Sequence, residues 1–131
     1  MSLGRDLAAV VIGGVIGTAL RLAVDAALPH DPGQFPLSTL IINTAGAFAL
    51  AVLVARAWPT APSWLRAGLG AGLLGSFTTF SAVAVAVIPL TTAGLGMLAL
   101  AYIALTLVLG LGAALLGLVL GRATAARGAA E

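Results

Sequence analysis

The residues with the most chemistry to offer lie in one short stretch, 72–81, which reads GLLGSFTTFS. Four of these ten residues are serine or threonine, and they interrupt an apolar segment that runs over 65–88. A hydroxyl donates one hydrogen bond and accepts two, so the stretch offers several groups that can solvate a small ion. In hydrocarbon such groups are tolerated mainly where protein buries them or where they line a polar pathway. The stretch therefore indicates a route through a membrane.

The composition requires that membrane. Of the 131 residues, 61% are hydrophobic and 8% are charged, and the mean hydropathy is +1.17, which leaves no polar coat for a soluble globule. A spanning helix needs about 20 mostly apolar residues. Four segments qualify, at 7–28, 37–57, 65–88 and 95–120. The connections between them are too short for a soluble domain, so residues 1–131 are expected to form one all-α unit of four transmembrane helices.

Other polar residues fall inside the predicted spans. Asn43 lies about two turns into the second helix, where its amide offers donors to a passing anion or a hydrogen bond between helices. Tyr102, Thr106 and Gly110 share one face of the fourth helix at intervals of four residues. That face predicts a polar track, although Thr106 alone could bond back to its own helix and Tyr102 alone could seek the membrane interface.

Arg21 is the one charged side chain with a claim to a partly buried place, near the end of the first helix. It could reach the lipid headgroups, or it could concentrate anions at a vestibule.

Several function classes lack their chemistry. No carboxylate falls in the middle of a predicted span, which argues against small multidrug exporters and other proton-coupled transporters of four helices. The chain has no cysteine, no Ser-His-Asp set, no metal-ligand cluster and no phosphate loop. An enzyme is not expected, and neither is a nucleic-acid partner.

Arginine placement predicts a single orientation in the membrane. With a cytoplasmic amino terminus, Arg5, Arg56, Arg66, Arg122 and Arg127 lie on the cytoplasmic side and only Arg21 falls toward the outside. The positive-inside rule counts such residues near helix ends, so both termini are expected in the cytoplasm.

Glycines at helical spacing predict close packing between helices, with Gly75 as the exception. Four thin helices enclose little volume, so a pathway is expected to form between two chains.

Three stretches follow one another along the chain: GGVIGTALR at 13–21, STLIINTAGAF at 38–48 and GLLGSFTTFS at 72–81. In order and spacing, and across nearly the whole chain, they resemble the signatures of the CrcB or Fluc fluoride channels. The resemblance implies a passive fluoride channel of the bacterial inner membrane, built as an antiparallel dimer with two narrow pores.

The resemblance also implies residue roles. Asn43 would donate to fluoride and Phe80 would present its ring edge, whose partial charge is positive. The hydroxyls of the motif and of the fourth helix would continue the track, at Thr79, Ser81, Tyr102 and Thr106. A break in the third helix near Gly75 would free the carbonyls of Gly75 and Thr78 to hold a structural Na⁺ at the dimer centre.

Three positions depart from the family pattern. Val83 stands where a second pore phenylalanine is usual, Ala86 replaces a glutamate, and Gly110 replaces the last hydroxyl of the fourth-helix track. Homodimeric members insert in both orientations and so have nearly balanced charge, unlike this chain. The sequence therefore favours a heterodimer with an oppositely oriented CrcB-like subunit, with the homodimer and a non-conducting accessory subunit as alternatives.

Overall fold

The protein is a bundle of four membrane-spanning helices. A computed structural model describes residues 3–31 and 33–128, with side chains as far as Ala123. Four helical spans are long and apolar enough to cross a bilayer, and the described residues contain no strand. The predicted all-α membrane fold is therefore confirmed. The first two spans are α1, Leu3–Ala27, and α2, Leu37–Arg56, and the last helix is α6, Gly96–Gly128.

The third span, Ser63–Thr92, is built from several pieces. It starts as α3, Ser63–Arg66, passes into a π-helical segment, Ala67–Leu74, and continues as α4, Gly75–Phe77. Thr78 and Thr79 are extended, with ψ of 154° and 120°, before α5 resumes at Phe80–Thr92. The expected interruption of the third helix is present.

The interruption lies three residues beyond the predicted hinge. Gly75 is itself helical, with φ −64° and ψ −30°, and a Cβ added there would meet only Gly70 O at 3.5 Å. The extended residues are Thr78 and Thr79, and the N–H and carbonyl of Thr79 both pair with the side chain of Asn43 in α2. Glycine's freedom is not what breaks this helix.

The third span also runs further than the hydropathy suggested, because α5 continues through Pro89 to Thr92. The Thr91 and Thr92 hydroxyls donate to carbonyls of the preceding turn, those of Val87, Ile88 and Pro89, at 2.8–3.2 Å. The chain then reverses at Gly94, whose φ of 77° suits glycine.

Glycines let the helices pack closely, as the sequence predicted, and the helices form two pairs. A Cβ on Gly13 or Gly17 of α1 would collide with the backbone of Gly68 or Leu73 in the third span. Gly117 and Gly121 of α6 lie equally close to α2, around residues 48–55. The bundle therefore consists of α1 against the first half of the third span, and α2 against α6.

The arginine-rich ends of the helices meet at one end of the bundle. Ser63 Oγ donates to Asp6 Oδ1 at 3.1 Å, and the Arg5 guanidinium lies 5.1 Å from the centre of the Trp64 ring. These contacts place the start of α1 beside the start of the third span, where α2 also ends. The side chain of Arg127 and residue Glu131, both part of the charge pattern, lie outside the described residues.

Candidate functional site

Asn43 braces the break in the third span with two hydrogen bonds. Its Nδ2 donates to Thr79 O at 2.9 Å, and its Oδ1 accepts from Thr79 N at 2.8 Å. The side-chain amide thus pairs with the extended backbone as a neighbouring peptide group would. One of its two N–H hydrogens is used in this way, so the second remains as a donor.

The same bonds leave two carbonyls without their helical donors. In a continuous α-helix, Thr79 N–H would bond Gly75 O and Ala82 N–H would bond Thr78 O. Here Thr79 N–H bonds Asn43, and Ala82 N–H bonds Thr79 Oγ1 at 3.2 Å, as at a helix N-terminus. The carbonyls of Gly75 and Thr78 are therefore released at membrane depth.

Gly46 lets the break approach α2. It lies one turn after Asn43, on the same side of the helix. A Cβ on Gly46 would collide with Thr78 Cγ2 and would lie 3.4 Å from the Phe77 ring. Bracing by Asn43 thus depends on the absence of a side chain at Gly46.

Two cavities adjoin the break, and Asn43 and Thr78 line both. The first, of about 470 Å³, extends toward α6. Its other lining residues are Thr79, Phe80, Val83, Ile103, Thr106 and Leu107. The second, of about 300 Å³, lies on the side of the released carbonyls and is lined by Gly75, Gly46, Ala47, Leu50, Gly70 and Leu74.

Phe80 faces away from the rest of the chain, with 82% of its surface exposed. Gly75 and Ser81 beside the break are exposed as well. Val83 is different, because it is buried against Leu40 and Tyr102 in the core. The position that lacks the family's second phenylalanine therefore packs inside the subunit.

The predicted hydroxyl track is only partly assembled. Thr106 lines the first cavity, but its hydroxyl donates to Tyr102 O at 2.8 Å. The Ser81 hydroxyl lies 3.2 Å from Thr79 Oγ1, and Gly110 has open space around it. Thr79, Phe80, Asn43 and Thr106 thus come together at one cavity.

Tyr102 is fully buried rather than placed at the membrane interface. Its ring meets Phe35 edge-on, with centroids 5.5 Å apart. Its hydroxyl faces the side chains of Thr39 and Thr106 without a well-formed hydrogen bond to either, and the buried Ser38 Oγ has no hydrogen-bond partner among the described residues. Burying a hydroxyl without a strong partner is costly, so both groups are candidate donors to an ion.

Ser38 was missed as a site residue by the sequence analysis, although it lies within the second signature stretch. With Thr39 it lines a further cavity of about 490 Å³, which is also lined by Asp25 near the end of α1 and by His30 and Asp31 in the connection before α2. The only signal in the sequence was a hydroxyl pair in the first turn of an apolar helix.

Arg21 lies apart from the break. Its side chain is half-buried, and it forms no ion pair within the described part of the chain. It lines neither cavity at the break, so its role at a vestibule stays a prediction.

The fold and site define a class: a multi-pass membrane protein whose third span is broken and braced by an amide, with polar groups gathered at the break. The profile of the family described as "CrcB-like protein, Camphor Resistance (CrcB)" matches residues 8–118, and the chain belongs to that family.

Relatives of similar sequence support this membership. The chain is 42% identical over 130 residues to Fluoride-specific ion channel FluC 2 of Nocardia farcinica, covering 95% of this chain and 89% of the relative. It is 39% identical to FluC 1 of Mycobacterium bovis over 120 residues, covering 90% and 91%. It is 40% identical to FluC of Deinococcus radiodurans over 116 residues, covering 84% and 90%.

Proposed function

We propose that this chain is a subunit of a channel that lets fluoride leave the cell passively. The observation that carries the proposal is the Asn43-braced break, which gathers donors and an exposed aromatic ring inside an apolar span. The relatives are named as fluoride-specific ion channels, and fluoride is therefore the ion that we propose for this chain.

The chemistry of the site suits a small, strongly hydrated anion. Such an ion leaves water only where other donors replace its shell, and conduction needs sites that hold it weakly. The second N–H of Asn43 and the ring edge of Phe80 would face it in the first cavity. The buried hydroxyls of Tyr102 and Ser38 are further candidate donors along α6 and α2.

The exposed break supports a dimer. Irregular backbone does not occur against lipid, because its polar groups have no partners there. Gly75, Phe80 and Ser81 all lie on the outer surface of a single chain. A second subunit, inserted in the opposite orientation, would cover this surface and complete the pores between the two chains.

That second subunit is proposed to be a different chain. The arginine bias favours one orientation for this chain, whereas an antiparallel dimer needs both. Val83 lines one wall of the first cavity and brings no aromatic ring to it. An oppositely biased CrcB-like partner would supply both the orientation and the missing groups.

The released carbonyls fit a structural sodium ion. Gly75 O and Thr78 O have lost their helical donors, and both residues line the cavity of about 300 Å³. Carbonyl oxygens suit a hard cation, and a bound Na⁺ would supply positive charge that compensates the exposed carbonyl dipoles. The carbonyls of this chain would provide part of the shell, and those of the partner the rest.

The proposed location is the bacterial inner membrane, with both termini in the cytoplasm. Support comes from Arg5, Arg56 and Arg66, which gather at one end of the bundle where the amino terminus also lies.

Fluoride efflux from liposomes tests the function. We expect rapid efflux when this chain is reconstituted with its oppositely oriented partner, and a large loss of efflux when Phe80→Ile is introduced. Efflux that is unaffected by Phe80→Ile would remove this chain from the pore and favour an accessory role. Rapid efflux from the chain alone, abolished by Phe80→Ile, would keep the channel and overturn the need for a partner.

A further inference from the structure

A groove on the outer surface of the bundle lies between α1 and the first half of the third span. Its volume is about 510 Å³, and its walls are formed by Ala8, Ile12 and Ile16 of α1 and by Leu69 and Leu73 of the π-helical segment. We call it the Arg5 groove, because Arg5 supplies its charged group beside Trp64. None of its lining residues lines the cavities at the break.

The groove has the length of one lipid chain. Arg5 and Ile16 are eleven residues apart on a continuous helix, which corresponds to about 16 Å. The hydrocarbon core of a bilayer is about 30 Å thick, so the groove spans about one leaflet. Its walls along this distance are apolar apart from the Arg5 end.

The charged end of the groove lies near the start of two membrane spans, α1 and the third span, where lipid headgroups are expected. Arg5 is exposed, and it forms no ion pair within the described part of the chain. Asp6, the nearest carboxylate in sequence, accepts the Ser63 hydroxyl at 3.1 Å. The Arg5 guanidinium lies over the ring of Trp64. Tryptophan is a residue type that is enriched at the membrane interface. The Arg5 guanidinium, which forms no ion pair within the described part of the chain, therefore lies at the open end of an apolar groove.

We propose that the Arg5 groove binds one anionic phospholipid, with its phosphate at Arg5 and one acyl chain along α1. Charge complementarity selects the headgroup, since arginine matches a phosphate with two parallel donors. The apolar walls select a lipid over a free phosphate ion. The site is separate from the proposed pore, so it does not depend on fluoride conduction.

The experiment measures which lipid the purified full chain retains. The chain is incubated with equal amounts of dioleoyl phosphatidylglycerol and dioleoyl phosphatidylcholine, and retained lipids are counted by native mass spectrometry. We expect a preference of about fivefold for phosphatidylglycerol, the effect of one arginine near an anionic surface. Inorganic phosphate should not displace the lipid, and displacement would identify a simple anion site instead.

Arg5→Gln should bring the preference close to one. The matched control is Arg66→Gln, which removes an exposed arginine from the same end of the bundle but outside the groove. An unchanged preference in Arg5→Gln would overturn the proposal. An equal loss in Arg66→Gln would also overturn it, by showing a general effect of charge.

A second variant tests the apolar part of the groove. Ala8→Trp fills it from an exposed position and should lower retention of both lipids while Arg5 remains. Ala8→Leu fills it less and provides the same test if the larger residue prevents folding. Full retention in a folded Ala8→Leu or Ala8→Trp chain would contradict the proposal. Loss of subunit pairing in these variants, with lipid retained, would identify a second chain as the occupant.

Discussion

At the scale of single residues, Asn43 has a structural role and a proposed role in the pore. Two of its hydrogen bonds hold the extended Thr79, and one N–H hydrogen is left over. The sequence left these roles as alternatives, and the structure gives direct geometry for the first. The two are compatible because one amide carries three hydrogen-bonding groups of use here: an oxygen and two N–H hydrogens.

We therefore expect Asn43→Asp to reduce fluoride efflux from the assembled channel by about 10-fold to 100-fold. Aspartate still accepts from Thr79 N, but it cannot donate to Thr79 O or to an anion. A lost hydrogen bond to a charged group is worth about 1.5–3 kcal/mol, which gives this range. Efflux is measured in liposomes.

Thr44→Val is the control for this substitution. It removes a buried hydroxyl from the adjacent position of α2, one that has no partner among the described residues and lines neither cavity at the break. Efflux should stay close to that of the unmodified chain. Wild-type efflux in Asn43→Asp would mean that Asn43 lines no working pore.

Gly46 gives the second prediction at this scale. Gly46→Ala should lower the free energy of unfolding by about 1–3 kcal/mol, because the new methyl group overlaps Thr78 Cγ2. The measurement is thermal or denaturant unfolding in detergent. Gly110→Ala is the matched control, since nothing lies within 4 Å of a Cβ there. Equal stability of the two variants would contradict the close approach of α2 to the break.

At the scale of elements, the third span shows how a helix is interrupted without a glycine or proline at the break. Thr79 ends the extended segment and caps α5, because its Oγ1 accepts from Ala82 N. Thr78 Oγ1 donates back to Leu74 O at 2.8 Å and completes the end of α4. Two adjacent threonines thus supply one side-chain hydrogen bond at each new helix end, while the carbonyls of Gly75 and Thr78 are left without helical donors.

Loss of the Thr79 cap should therefore weaken the span. Thr79→Val keeps the shape and removes the hydroxyl, and we expect a loss of about 1 kcal/mol in the free energy of unfolding. Thr79→Ser keeps the oxygen and should retain most of the stability. If valine and serine are equally stable at this position, the cap has no energetic role.

The sequence predicted the elements better than the break. Hydropathy located the four spans, because a run of about 20 apolar residues matches the thickness of the bilayer core and is typical of a transmembrane helix. The spacing of Gly13 and Gly17 predicted close packing, because small residues on one face of a helix let a neighbouring backbone approach. The resemblance to the CrcB channels implied a break at Gly75 and Thr78, and the structure has it at Thr78 and Thr79. Its true position depends on Asn43, which is 36 residues away in sequence, and no local pattern records that contact.

The hydroxyl track shows the same limit. Helical spacing correctly put Tyr102 and Thr106 on one side of α6. It could not show that the Tyr102 ring is buried against Phe35. The hydrogen bond from Thr106 back to its own helix was one of two alternatives, and the structure contains it. Ser38 was recognised as a candidate donor only from the structure, in which its hydroxyl is buried and has no hydrogen-bond partner among the described residues.

At the scale of the whole molecule, the exposed break and the arginine bias make opposite demands. The exposed Phe80 and the released carbonyls call for a covering partner, which is proposed to be antiparallel, whereas the charges favour a single orientation for this chain. One chain satisfies both demands only when the partner is a different chain. Orientation is therefore the property on which the proposed heterodimer depends.

Orientation can be read from single cysteines, because the natural chain contains none. Thr60→Cys marks the exposed turn at the arginine-rich end, and Thr92→Cys marks an exposed position at the opposite end. In intact bacterial cells or spheroplasts, a membrane-impermeant maleimide added outside should label Thr92→Cys and leave Thr60→Cys unlabelled. Adding Arg56→Gln and Arg66→Gln together should produce partial outside labelling of both cysteines, because the positive charges that retain this end in the cytoplasm are removed.

Arg21→Gln is the control for those substitutions, since it removes the single arginine at the other end and should leave labelling one-sided. The double variant should also pair with itself in the membranes of the cells that express it, detected by crosslinking, because chains in both orientations are then present. Outside labelling of both cysteines in the otherwise unmodified chain would show that it already inserts both ways. A second copy of this chain would then cover the break. The resulting homodimer would have fewer aromatic groups in its pores, because each chain carries Val83 where a phenylalanine is usual.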